Sequence, residues 1–291
     1  MTADEIWLRR FWLLLWGGAV GLILLLLFAT LPERPLSLDA LAHFPADLLA
    51  RGRRFSREAR LAATLRDLVA LGAMLWLCFH SAGVRWLQRL EGLGRGRLWP
   101  GLAAVFAGIT ALSALAELPF SFYLGYVHEH AYGLSRLTAG QWLADWTVQL
   151  ALHFGLSLLI WLPMYWLIRR WPRGWWVPAV ALNVAFAAML PLLTPVLLLP
   201  MEGKLVDVQD PQTLAMVRRV ADRAGVPVER VRQLQVSGRT SRANAMVTGL
   251  GPTKQVIFYD TLLRQFTPAE VEVVMAHELA RSMGMWWWAG C

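Results

Sequence analysis

Residues 98–120 read LWPGLAAVFAGITALSALAELPF, and Glu117 is their single charged side chain. At about 1.5 Å per residue a helix of this stretch would be about 34 Å long, enough to cross a hydrocarbon core of about 30 Å. The stretch therefore predicts a membrane-spanning helix. Four further apolar runs predict spans over 11–31, 61–84, 146–168 and 177–201. The first is longer than the apolar region of a signal peptide, so an uncleaved anchor is expected there. Composition agrees: 57% of the 291 residues are hydrophobic and 16% charged, against about 25% charged in an ordinary soluble domain. A water-soluble globule is excluded, and the lipid bilayer is the first expected partner.

The net charge of +8 raises nucleic acid as a partner, but the basic residues sit beside apolar runs instead of lining one polar face. No nucleic-acid partner is expected. Lys204 and Lys254 are the only lysines, an arginine-rich usage that suggests a GC-rich genome and a bacterial inner membrane. Basic residues are balanced between alternate connectors, so orientation is not fixed. Cys78 and Cys291 supply neither a disulfide framework nor a paired metal motif.

The spans carry few polar groups. Arg66 and Asp67 lie in the first turns of the second, where snorkelling accounts for them. Glu117, near the end of the third, reads either as a functional candidate by its depth or as an interfacial residue just before Pro119. Tryptophans 161, 166, 171, 175 and 176 surround Arg169 and Arg170 as an interfacial aromatic belt. Pro191, Pro195 and Pro200 should kink or break the fifth span. A transporter would use Glu117, Asp67 and that broken span, but no internal repeat supports it.

From Glu202 charges become frequent and apolar runs shorten, so residues 202–291 predict a water-facing α+β region. Asp210-Pro211 is an N-cap followed by proline at the first helical position, and Leu214, Val217, Val220 and Ala221 share one apolar face. Val231–Val236 reads as a strand, and Ala245–Thr248 with Gln255–Tyr259 as a hairpin. Thr267-Pro268-Ala269-Glu270 starts a further helix with a capping box. This helix carries His277-Glu278-Leu279-Ala280-Arg281.

That pentapeptide is one residue from the zinc-protease motif H-E-x-x-H. The motif works because histidines four apart lie on one helix face and reach one Zn²⁺, with the intervening glutamate offset toward the metal-bound water. Zinc makes that water a nucleophile near neutral pH, and the glutamate takes its proton. Arg281 stands at the second histidine position, and a guanidinium has no lone pair to offer a metal.

The blocks around the motif are specific. Thr194-Pro195, Pro200–Leu205, Ser237–Ala245, Gly249–Leu263 with its Asp260-Thr261-Leu262, and Ala276–Leu279 occur in an order that resembles the membrane zinc endopeptidases of the type I CAAX prenyl protease family. Tyr126–Ser135, with Thr138 and Asp145, is similar to that family's loop before its fourth span. His128, Glu129 and His130 are therefore expected to be structural, not a metal site.

The resemblance implies a multi-pass α-helical membrane protein with a C-terminal α+β metalloprotease-like region. It implies Zn²⁺ as cofactor, His277 as a zinc ligand, Glu278 as general base, and a peptide or protein substrate lying against an edge strand at Asn244 and Ala245. It also implies a third, acidic ligand on a later helix. Residues 282–291 do not follow the family pattern, and the expectation is a peptidase-like region incomplete at its C-terminus. As written, with Arg281 in place of the second histidine, the chain is expected to be inactive. The alternative is a membrane peptide-binding pseudoprotease.

Overall fold

The computed structural model describes residues 16–18, 20–21, 24–25, 38–197, 199–249 and 254–282. The span expected at 11–31 lies outside these apart from a few helical residues, and the tail from Met283 lies outside them entirely.

Helix α1 runs Ala46–Phe79 and α2 runs Ser81–Gly92. The span expected over 61–84 thus begins earlier and stops sooner. Its arginine-rich approach, expected as a loop, is helical from Ala46, because arginine ranks among the good helix formers and the polar stretch simply extends the helix. The stop is local: His80 takes an extended conformation (φ −88°, ψ 132°) and its Nδ1 accepts the Ala82 N–H at 3.2 Å, so it ends α1 and caps α2.

Helix α3, Leu98–Phe122, continues into a π-helical turn at Tyr123–His128 and a short α-turn at Glu129–Ala131. Gly125 sits in the π turn, where a Cβ would fall 2.6 Å from Nε1 of the buried Trp142. Helix α4, Ala139–Arg170, starts on a capping box between Thr138 and Gln141. It begins before the expected residue 146 because the cap, not the first apolar residue, decides where a helix starts. Helix α5, Trp176–Leu197, stays helical through Pro191 and Pro195, and four helical residues follow at Leu199–Glu202. Among the described residues three stretches, Ala46–Phe79, Leu98–Ala131 and Ala139–Arg170, are long and apolar enough to cross a membrane.

The C-terminal region is a four-stranded sheet with two helices on one face. Strands β1 (Lys204–Asp207), β2 (Arg230–Gln235), β3 (Ala245–Thr248) and β4 (Gln255–Tyr259) are ordered β1-β2-β4-β3. Only β2 and β4 are parallel. Strand β1 was not expected. It has four residues, of which only Leu205 and Val206 are apolar, too short a run to signal a strand on its own.

Helix α6 (Pro211–Ala224) is capped by Asp210, which accepts the Thr213 N–H at 2.8 Å, and is closed by Gly225 at φ 64°. A one-turn helix α7 (Asp260–Gln265) leads to α8 (Pro268–Ser282). Side-chain alternation along β4 sends Val256 and Phe258 to the helical face, where they meet Met216, Val217, Met275 and Leu279. Ile257 points the other way, onto Leu234, Val236 and Leu199. The second cluster anchors the sheet to the end of the membrane region.

Candidate active site

Helix α8 carries the motif. Its N-terminus is fixed by Glu270 accepting the Thr267 N–H at 2.8 Å while Thr267 Oγ1 accepts the Glu270 N–H at 3.4 Å. The bonds its carboxylate accepts from the Thr267 N–H and from the Thr267 hydroxyl, the latter also at 2.8 Å, hold the Glu270 carboxyl below the usual carboxylate range. Val271, Met275 and Leu279, at four-residue spacing, are buried and pin one face of the helix to the sheet. His277 falls on the exposed side and Glu278 on the flank, with its side chain 19% exposed. Arg281 lies one turn beyond His277 on the same face, and its Nη1 stands 4.0 Å from Glu278 Oε2.

Strand β3 packs against this helix and forms the outer end of the sheet, and no described strand covers its free side. Ala245 is buried, with its side chain in the core shared with Met275 and Leu279, while Asn244 is exposed just before the strand. The Asn244 carbonyl accepts the Tyr259 N–H at 2.9 Å. The approach to β3 is held from two sides. Thr261 Oγ1 donates to the Arg242 carbonyl at 2.6 Å. Asp260, 1% exposed, accepts the Val236 N–H at 2.9 Å and the Ser237 N–H at 3.0 Å. Burial works to raise the Asp260 carboxyl, but the hydrogen bonds from Ser237 and Val236, with Arg264 nearby, overcome it and hold the group below its ordinary range.

The second hold comes from the membrane side and was not anticipated. The loop between α3 and α4 ties itself to residues 237–242. Arg242 pairs with Glu129 and Arg239 with Asp145. Ser135 bridges Thr240, Arg136 Nη1 donates to the Ser237 carbonyl at 2.9 Å, and Ser241 Oγ to the Gly133 carbonyl at 2.6 Å. The only sequence signal was two acids in one segment facing two arginines about a hundred residues later. His128, buried at 3% exposed, stacks on Phe55 with ring centroids 4.5 Å apart, and its Nε2 stands 3.4 Å from Glu58. Glu117 lines a cavity of about 930 Å³ between α3 and α4 with Asp145, Gln149 and His153. Arg66 and Asp67 pair at 2.9 Å.

Catalytic zinc needs about three protein ligands. Among the described residues no three histidine, cysteine, aspartate or glutamate side chains come together to hold a metal. The position one turn from His277 holds a guanidinium directed toward Glu278. The described residues do not fit a catalytic zinc ion by themselves.

Comparison with known proteins gives the family. The profile described as "CAAX prenyl protease N-terminal, five membrane helices" matches residues 42–204, and that of "Peptidase family M48" matches 207–282. The chain is 29% identical over 171 residues to a Bacillus subtilis protein named "Uncharacterized metalloprotease YhfN", covering 59% of this chain and 40% of that one. It is also 29% identical over 174 residues to "CAAX prenyl protease 1" of Saccharomyces cerevisiae, covering 59% and 38%. It thus spans about 40% of the length of these relatives. The crystal structure of S. mikatae Ste24p superposes with a TM-score of 0.76 at 21% identity, over 89% of this chain and 62% of that one, and so shares its fold. With both profiles matched in order along one chain, this protein belongs to the type I CAAX prenyl protease family.

Proposed function

We propose that the chain is a membrane metallopeptidase scaffold that takes an extended peptide along the open edge of β3, with zinc as the metal of its family. In this reading Asn244 and Ala245 lie on the edge strand that pairs with the substrate, His277 is one metal ligand and Glu278 is the general base. The observation that carries it is the contact between an uncovered edge strand and the helix bearing His277 and Glu278. Added-strand pairing gives affinity through main-chain bonds, and side chains give selection. The membrane is bacterial and the substrate is a peptide or protein segment presented at its surface.

A second reading is favoured by one feature. Arg281 puts a permanent positive charge where the family motif needs a lone pair, and in this form the chain binds peptides without hydrolysing them. The test compares the full chain with Arg281→His in detergent, measuring zinc content by plasma mass spectrometry, binding of a fluorescent extended peptide, and its cleavage. The expected result is peptide binding without stoichiometric zinc or turnover in the parent, and a higher zinc content in Arg281→His. Stoichiometric zinc and Glu278-dependent cleavage by the parent would remove the binding-only reading. Absence of peptide binding in both proteins would remove the scaffold reading.

A further inference from the structure

The turn between α4 and α5 carries features the peptidase reading does not use. Residues 146–201 contain Arg169, Arg170 and Arg173 and no aspartate or glutamate. The three arginines make no ion pair with a described acid, and Arg170 lies 5.7 Å from the centroid of the Trp171 ring. Arg170, Trp171, Pro172, Arg173, Gly174 and Pro178 line a cleft of about 920 Å³. Trp171 and Trp176 are 45% and 59% exposed, at the level where aromatic rings meet headgroups.

Further along the same two helices a second cavity, about 260 Å³, opens between them. Leu159, Pro163, Leu182, Phe186 and Met189 line it. Its amide residue, Asn183, spends its side-chain N–H on the Ala179 carbonyl at 2.8 Å. The lining residues lie seven to eleven residues from Arg170 on α4 and six to thirteen from Trp176 on α5, or roughly 9–20 Å into the hydrocarbon. Two unpaired guanidiniums at the headgroup level above an apolar groove match the two ends of one molecule: a phosphate diester and an acyl chain.

We propose that the α4–α5 turn is a binding site for an anionic phospholipid, its phosphate on Arg170 and Arg173 and one acyl chain in the groove between α4 and α5. The peptidase region joins α4 at its start, through Asp145 and Arg239, and follows α5 at its end, through β1. Both helices must run away from the sheet and back. The lipid therefore belongs to the leaflet opposite the peptidase region, and the site is independent of any peptide bound at β3.

The test uses the full chain, delipidated in neutral detergent and titrated with dioleoyl phosphatidylglycerol or dioleoyl phosphatidylcholine, with bound lipid read by native mass spectrometry. The two share acyl chains, so any preference reports the headgroup. One phosphatidylglycerol should be retained in preference to phosphatidylcholine, and Arg170→Gln with Arg173→Gln should lower that preference by about thirtyfold, or about 2 kcal/mol. Arg95→Gln with Arg97→Gln, in another connector, should leave it unchanged. Ala185→Phe, beside the groove, should weaken retention of both lipids while keeping the preference.

Equal retention of the two lipids by the parent would overturn the proposal. So would a preference that survives in the Arg170/Arg173 variant, or one lost equally in the Arg95/Arg97 control. Displacement of the lipid by millimolar inorganic phosphate would show a free-anion site and also overturn it.

Discussion

Replacing Asp260 by alanine should loosen the sheet at the point where the Asp-Thr-Leu segment grips it. The side chain accepts two main-chain N–H groups, from Val236 at the end of β2 and from Ser237. Alanine leaves the buried Val236 N–H without a partner, at about 1–3 kcal/mol, and the part-buried Ser237 N–H, which water can reach, at about 1 kcal/mol. The Arg264 contact adds little, because its guanidinium is 65% exposed and 3.3 Å away. The sum is about 2–4 kcal/mol.

Hydrogen–deuterium exchange of the β2 and β4 amides in the detergent-purified chain reads this as a local opening free energy. Protection should fall about 30- to 700-fold in Asp260→Ala. Asp260→Asn keeps the accepting Oδ1 and should lose far less. The pH dependence has a fixed sign. The folded carboxyl is held below its unfolded value of about 3.9, so its stabilisation is present above that pH and fades as pH falls through the folded value. The parent should lose protection on acidification below about pH 4, and Asp260→Ala should not. A change under about 0.5 kcal/mol in the alanine variant, or the same acid response in both proteins, would refute the reasoning.

Burial, and then the bond its hydroxyl donates to Glu202 at 2.7 Å, push the Tyr259 phenol up to about 12. Stability should therefore decline as pH rises from about 10 toward that value. Absorbance titration should show late-ionising tyrosine absorbance that falls by one residue's worth in Tyr259→Phe. Gly203→Ala would set a Cβ 2.2 Å from the Gln235 carbonyl oxygen. It should lift β1 from β2 at about 1–3 kcal/mol, seen as faster exchange confined to those strands. A double-mutant cycle between Glu129→Gln and Arg242→Gln should return a coupling of about 1 kcal/mol or less, because Arg242 is half exposed.

The elements that announce themselves locally were legible in the sequence. Helices α6 and α8 begin on Asp210-Pro211 and Thr267-Pro268, where cap and proline are adjacent. Strands β3 and β4 alternate between two clear turn segments. What was not legible depends on partners far along the chain. Strand β1 exists because β2 accepts it, and residues 46–60 are helical although their arginines suggest a loop. The hold of Glu129 and Asp145 on Arg242 and Arg239 joins segments 113 and 94 residues apart. At the site, His277, Glu278 and the obstructing Arg281 could be read directly from one pentapeptide. The loop that steadies the strand beside them could not.

The π turn at Tyr123–His128 sets the rotational phase of everything that follows it. A π turn is one residue wider than an α turn. Deleting one residue there would absorb the bulge and keep the phase, whereas winding all its residues as ordinary α-helix would rotate each later side chain by about 100°. His128 would leave the Phe55 ring, and Glu129 would swing away from Arg242. The wide turn acts as a keyway: it fixes the angle at which the membrane helices present their loop, and through that loop the angle at which the sheet meets the bilayer.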